Sequence, residues 1–225
     1  AGIISKKHPA LIAGAPTMFE ALLRNNKMKH TDLSCLIGAF SGGDRLPRDL
    51  KERFDKFLRA HGANISLREG YGLTETVTAC VLTPENEDRA GSVGIPFPDM
   101  LVKICKPGTC GEEPVGTDGE ICLFGPTLML GYTNDLKGTA KALISHPDGR
   151  TWLHTGDMGC VDDDGFLYFK QRIKRILKIS GYTIYPSFIE DIVNTHPAVQ
   201  LSCAVAMHDD IKMSRVKLFV SLNPG

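Results

Sequence analysis

The chain carries no charge excess to offer a polyanion. Its 26 Lys+Arg are matched by 26 Asp+Glu, so nucleic acid, which is gripped by clustered basic side chains, is not an expected partner. No apolar run approaches the roughly 20 residues a bilayer-crossing helix needs, so no transmembrane segment is expected. Seven cysteines, at positions 35, 80, 105, 110, 122, 160 and 203, include no Cys-x-x-Cys pair and no histidine at zinc spacing, which argues against a zinc site. An odd set of thiols suits a reduced, cytoplasmic compartment better than a disulfide scaffold. A Gly-x-x-x-x-Gly-Lys-Ser/Thr phosphate loop is missing too, as are internal repeats and low-complexity stretches. What remains, 42% hydrophobic and 23% charged over 225 residues, can bury the core of one or two domains.

Glycine is not scarce, and three glycine-bearing segments carry chemistry. Residues 69–76 read Glu-Gly-Tyr-Gly-Leu-Thr-Glu-Thr. Gly70 and Gly72 free the backbone to bend closely round a ligand, Tyr71 offers a flat face for a base, Thr74 a hydroxyl for phosphate, and Glu75 a hard oxygen for Mg2+. A plain structural turn is the competing reading. Residues 152–157 read Trp-Leu-His-Thr-Gly-Asp, where Asp157 can accept hydrogen bonds from two adjacent hydroxyls such as a ribose presents; Gly156-Asp157 can also be a mere hairpin corner. The run Asp162-Asp163-Asp164-Gly165 is read as an exposed hairpin turn rather than a metal cluster. From Lys170 to Ile179, bases alternate with Ile and Leu at strand period, giving one packed and one charged face.

In this order, the segments resemble the adenylate-forming superfamily of acyl- and aryl-CoA synthetases, peptide-synthetase adenylation domains and luciferases. Ser41-Gly42-Gly43-Asp44-Arg45-Leu46, Gly91-Ser92-Val93-Gly94-Ile95-Pro96 and Gly119-Glu120-Ile121 with Gly131-Tyr132 are similar to further family motifs, although Asp44-Arg45 replaces the family's Ala-Pro. The resemblance runs from about residue 10 to the end. It implies that Gly42, Gly43, Tyr71 and Gly72 line the adenine site, Thr74 meets the α-phosphate, Glu75 holds Mg2+, Asp157 takes both ribose hydroxyls and Arg172 the ribose or phosphate edge. It further implies that Lys174 is the hinge of a mobile lid and that Gly181 lies beside the pantetheine tunnel. Gln171 stands where the family has glycine. The implied reaction joins a fatty or aryl acid to coenzyme A through an acyl-adenylate at the expense of ATP. Tyr185-Pro186-Ser187-Phe188-Ile189-Glu190 resembles CoA ligases more than peptide synthetases, whose acceptor is a carrier protein; a non-catalytic nucleotide-binding or scaffold protein is the third reading. The family's phosphate loop is expected upstream of residue 1 and its lid lysine beyond residue 225, so the chain is expected to be an inactive piece of a larger enzyme.

Periodicity and punctuation predict α/β followed by α+β architecture: part of an open α/β subdomain over residues 1–100, a small β-barrel-like subdomain over 101–173, and a truncated lid over 174–225. A capping box at Thr17–Glu20, a strand at Ser34–Phe40, a helix from Pro47 to Ala60 and a strand at Asn64–Arg68 delivering a Tyr71 loop are expected. A helix near Thr139–Ser145 follows. The lid is expected to hold a hairpin (Ile176–Ile179, Thr183–Tyr185), a helix at Ser187–Thr195 and strands at Leu201–Ala206 and Val216–Leu222. His154 has no evident carboxylate partner nearby in sequence, and Leu128, Met129 and Leu130 read as core. Val77, Thr78 and Ala79, just past Glu75, are candidates to line an acyl pocket.

Overall fold

A computed structural model describes residues 1–179, 182–209 and 213–223. After a short helix, α1 (Gly2–Lys7), the chain alternates strand and helix: β1 (Leu11–Gly14), α2 (Pro16–Arg24), β2 (Gly38–Ser41), α3 (Arg48–Ala60) and β3 (Leu67–Gly72). β1, β2 and β3 pair in parallel. Two antiparallel strands, β4 (Ala79–Leu82) and β5 (Ile95–Pro96), then extend the sheet beyond β3. α3 forms because Leu50, Phe54 and Leu58 recur every four residues and make one apolar stripe, while Arg48–Glu52, Asp49–Arg53 and Lys51–Asp55 pair along the rest of the helix. The stripe packs with Phe19 and Leu22 of α2 onto Ile12, Ala39 and Leu67 of the sheet. Phe19 and Phe54 meet edge to face at 4.9 Å.

Several local expectations change. Thr17 does not cap α2: Pro16 occupies the first turn, Ala15 stands at the cap, and Glu20 instead pairs with Arg24 and Arg53. The strand expected from Ser34 starts at Gly38, because Asp32 Oδ1 accepts from Ser34 N and turns the chain there. Tyr71 lies inside β3 rather than in a loop after it.

The second sheet has the order β10-β9-β7-β6, from β6 (Leu101–Cys105), β7 (Gly119–Phe124), β9 (Thr151–Val161) and β10 (Leu167–Arg172), with β8 (Leu143–Ser145) also on β9. All its pairings are antiparallel. It is an open sheet, not a closed barrel: no pairing joins β6 to β10 among the described residues. A helix, α4 (Leu136–Ala142), precedes β8. The hairpin at Asp162–Gly165 forms as expected, with Asp162 accepting from the backbone of Asp164 and Phe166 and pairing with Arg89. Leu128 and Met129 pack against the second core, but Leu130 is fully exposed.

One core spans both sheets, joining Tyr71, Cys80 and Val81 from the first to Ile104, Ile121, Leu123, Leu153 and Leu167 from the second. Backbone bonds from Val93 N to Leu167 O (2.9 Å) and Leu167 N to Gly94 O (2.8 Å) fasten them. Gly94 has φ 103°, and a Cβ there would stand 2.0 Å from the Leu82 carbonyl carbon, so only glycine permits this approach.

Past β10 the chain makes one 3-10 turn, Ile173–Arg175, and enters an α+β segment. It comprises the hairpin β11 (Leu177–Ile179) and β12 (Tyr182–Ile184), α5 (Pro186–Asn194), and the long antiparallel pair β13 (Val199–Asp209) and β14 (Met213–Leu222). Among the described residues no helix is long and apolar enough to cross a membrane.

Candidate functional site

The parallel strands all point their carboxyl ends at one rim, where ligands collect in open α/β sheets. Gly42 and Gly43 lie there, immediately after β2. Gly42 N donates to Gly14 O at the end of β1 (3.1 Å), and a Cβ on Gly42 would touch Gly70 O at 3.4 Å. Gly43 adopts φ 81° with nothing within 4 Å of a built Cβ, so it is an open turn. Glu69 Oε1 accepts from Leu46 N (2.8 Å) and ties this turn to β3. Burial pushes the Glu69 carboxyl up to about 7.

β3 ends at Gly72, whose missing side chain is required: a Cβ would stand 2.2 Å from Thr78 O. A 3-10 turn, Thr74–Thr76, follows. Thr74 is exposed on it and Glu75 half-buried. Glu75 Oε1 accepts from Tyr132 Oη (2.6 Å), and Met129 N donates to Glu75 O (2.8 Å). Val77 closes the turn with φ 68°, a strained conformation for a β-branched side chain, and its side chain is largely exposed.

From the second sheet comes Asp157, 1% exposed. Its Oδ2 accepts from Tyr71 Oη at 2.8 Å. Arg172, its partner in the β9–β10 register, brings Nε to 2.9 Å from Oδ1. The two atoms form an ion pair, yet the N–H is not aligned on that oxygen, and Oδ1 is left without a hydrogen-bond donor. Burial raises the Asp157 carboxyl, with Tyr71 and Arg172 opposing. A buried acceptor with an unused lone pair is unusual in a folded chain, and it leaves Oδ1 able to accept one more hydrogen bond.

The structure thus brings Tyr71, Asp157 and Arg172 into direct contact. Tyr71 differs from expectation in one respect: it is 8% exposed and stacks on Phe169 at 5.9 Å, so its ring is a core side chain with its hydroxyl on Asp157, not an open platform. Lys174 is exposed on the 3-10 turn after β10, in the connection to the α+β segment rather than in the cluster. Gly181 lies outside the described residues.

One pair was missed by sequence reasoning. His154 does have a carboxylate partner: its Nδ1 lies 3.0 Å from Glu120 Oε2, and its Nε2 lies 2.9 Å from His146 Nε2. The carboxylate comes from the neighbouring strand, 34 residues away in sequence, where only strand register could have revealed it.

Residues 1–133 match the family described as AMP-binding enzyme. The chain is 37% identical over 227 residues to a long-chain-fatty-acid–CoA ligase of Bacillus subtilis, covering 99% of this chain and 38% of that protein. Among solved structures, ATP-bound MatB from Rhodopseudomonas palustris superposes with TM-score 0.85 at 25% identity, over 99% of this chain and 42% of that one. An anthranilate CoA ligase, AuaEII, in complex with anthranoyl-AMP superposes with TM-score 0.83 at 26% identity, over 98% and 41%. The chain therefore spans about two fifths of the length of the proteins it matches. A family match over residues 1–133 that takes in the Gly42 turn and the Tyr71–Glu75 rim makes this chain a member of the AMP-binding enzyme family.

Proposed function

We propose that the protein carrying this chain is an ATP-dependent, AMP-forming acid:CoA ligase acting on a fatty or aryl acid. A carboxylate oxygen attacks the α-phosphorus of ATP, pyrophosphate leaves, and an acyl-adenylate forms. The sulfur of coenzyme A then attacks the acyl carbon and AMP departs. The observation that carries this reading is the buried, donor-less Oδ1 of Asp157 beside Arg172. Such a carboxylate suits a ribose hydroxyl, and a charged acceptor in a buried site makes a strong bond. Gly42, Gly43 and Gly72 let the backbone approach an adenine closely. Thr74 offers a hydroxyl to the α-phosphate. The similar proteins include a fatty-acid–CoA ligase and an enzyme crystallised with an acyl-AMP, which favours CoA over a carrier protein as acceptor, as does Tyr185-Pro186.

Mg2+ needs only one or two carboxylates when substrate phosphates supply the remaining oxygens. Glu75 fits: it is half-buried at the rim, and Tyr132 occupies one of its oxygens. An ion held by Glu75 there would supply positive charge to offset that of the phosphates. Positioning and electrostatics otherwise carry the reaction. We read residues 1–100 as the nucleotide-binding subdomain, 101–173 as the subdomain that supplies Asp157, and 174–225 as a mobile lid. A reducing cytoplasm would suit the free thiols.

Glu75→Gln in the full-length protein tests the assignment. The change keeps shape and removes charge, so carboxylate-dependent pyrophosphate exchange should fall at least a hundredfold while the unfolding temperature holds. Exchange at the wild-type rate would remove Glu75 from the reaction.

A further inference from the structure

The strand that delivers Asp157 is irregular, and a second group of buried side chains fixes the irregularity. Glu120 of β7 pairs with Met158, and Cys122 with His154, so one residue of β7 faces three residues of β9. Extra residues of this kind re-aim a side chain. The bulged stretch is Thr155, Gly156 and Asp157, two residues longer than the single Ile121 it faces, with Gly156 at φ 70°. Two side chains pin them. Thr155 Oγ1 donates to Ile121 O (2.8 Å) and accepts from Asp157 N (3.1 Å). Glu120 Oε1 accepts from Gly156 N (3.1 Å).

The other oxygen of Glu120 is also committed. Oε2 accepts from His154 Nδ1 (3.0 Å) and from Gly108 N (3.3 Å). Glu120 is 5% exposed. Burial pushes its carboxyl up, but His154 and the two backbone N–H groups outweigh that and hold it below the ordinary glutamate value. An ionised Glu120 accepts only, so His154 Nδ1 must carry the proton. His154 then presents Nε2 as an acceptor to His146 Nε2–H at 2.9 Å. His146 Nδ1 is left bare, and it is indeed buried without a partner. Burial and the nearby Lys103 hold His146 below its ordinary value, in agreement with a neutral ring. All three side chains thus share one direction of donation, from His146 to His154 to Glu120.

We propose that Glu120, oriented by His154 and His146, is a positioning residue of the nucleotide site: it holds the Gly156 backbone and so aims the Asp157 carboxylate at the ribose. This rests on the reading of Asp157 as a ribose ligand. Replacing either Glu120 or His154 should loosen nucleotide binding without touching a nucleotide-contacting side chain.

The test measures AMP binding by calorimetry, and unfolding temperature, in the full-length protein. Asp157→Ala, Glu120→Gln, His154→Leu and His154→Asn are compared with wild type. Gln keeps one acceptor oxygen and turns an NH2 donor towards the N–H groups that the other oxygen serves, and Leu removes the His154 donor, so AMP affinity should fall about tenfold in both. Asn places an N–H near Nδ1, so His154→Asn should recover most of the affinity. Wild-type affinity in folded Glu120→Gln or His154→Leu, with Asp157→Ala impaired, overturns the positioning role. Wild-type affinity in Asp157→Ala overturns the ribose reading beneath it. Nitrogen-15 NMR of the wild-type histidines should find His154 protonated on Nδ1 and unprotonated on Nε2 at pH 7.5, whatever the variants do; the opposite tautomer overturns the proposal.

Discussion

A single oxygen, Oδ1 of Asp157, sets this carboxylate apart from one saturated by the fold. If Asp157 served only the fold, its partners would be saturated, as those of Asp162 are by Arg89, Tyr168 and two backbone N–H groups. Instead Oδ1 is buried with an ion-pair neighbour and no donor. Asp157→Ala in the full-length protein should therefore cost about 2–3 kcal/mol of ATP or AMP binding, the range for a hydrogen bond to a charged group, read as a rise in ATP KM or AMP Kd. An unchanged KM and kcat would remove it from the site. Glu69 shows the opposite balance: burial raises its carboxyl from 4.5 to about 7. Between those values the unfolded chain has released a proton that the folded chain still holds, so stability is full below pH 4.5 and declines as pH rises towards 7. The loss is on the order of 3–4 kcal/mol at 1.4 kcal/mol per unit. Glu69→Gln stays neutral and can still accept from Leu46 N, so its urea midpoint should be flat between pH 5 and 8 where the wild type's falls. Equal slopes would place the titrating group elsewhere.

At the scale of elements, much was legible where a pattern is local. The helix Arg48–Ala60 follows from Leu50, Phe54 and Leu58, and the Asp162–Gly165 hairpin from Asp-Gly between apolar runs. Legibility failed where a local rule met a stronger neighbour. Pro16 displaced the Thr17 cap, and the Asp32 turn delayed β2 to Gly38. It failed again where the partner is distant in sequence: Glu120 meets His154, and Tyr71 meets Asp157 across 86 residues, contacts set by register and sheet packing that no motif spells out. The connection after β10 is short, a single turn Ile173–Arg175 with Lys174 exposed. Ser187 at the start of α5 bonds Gln171 Oε1 at 3.2 Å through its hydroxyl, and Arg45 of the rim turn pairs with Asp191 of α5. If one site serves both half-reactions through lid rotation, that turn must absorb the backbone change. Lys174→Pro fixes φ near −65°, so adenylate formation should survive while thioester formation drops at least tenfold. Equal loss of both half-reactions would place the pivot elsewhere.

At the scale of the whole molecule, the proposed reading accounts for one side of a nucleotide, the base, the ribose and the first phosphate. On that reading the rim glycines, Asp157 and Arg172 would face a base and a ribose, and Thr74 and Glu75 the first phosphate and its ion. The sequence contains no Ser/Thr/Gly-rich run ending in lysine to hold the β- and γ-phosphates, and the chain covers 38% of the fatty-acid–CoA ligase it resembles. Adenylate formation depends on orienting and neutralising the whole triphosphate, so half a site does not give half a rate. The 225-residue chain by itself should form neither acyl-hydroxamate nor acyl-CoA with any carboxylate supplied. AMP, which needs only the side that is present, should still bind weakly by calorimetry, because Tyr71 and Arg172 hold Asp157 from within the chain. Robust MgATP-dependent acyl-CoA formation by the isolated chain would show that its own residues grip the distal phosphates, and would move the search to the cations around the rim, beginning with Arg45 and Arg172.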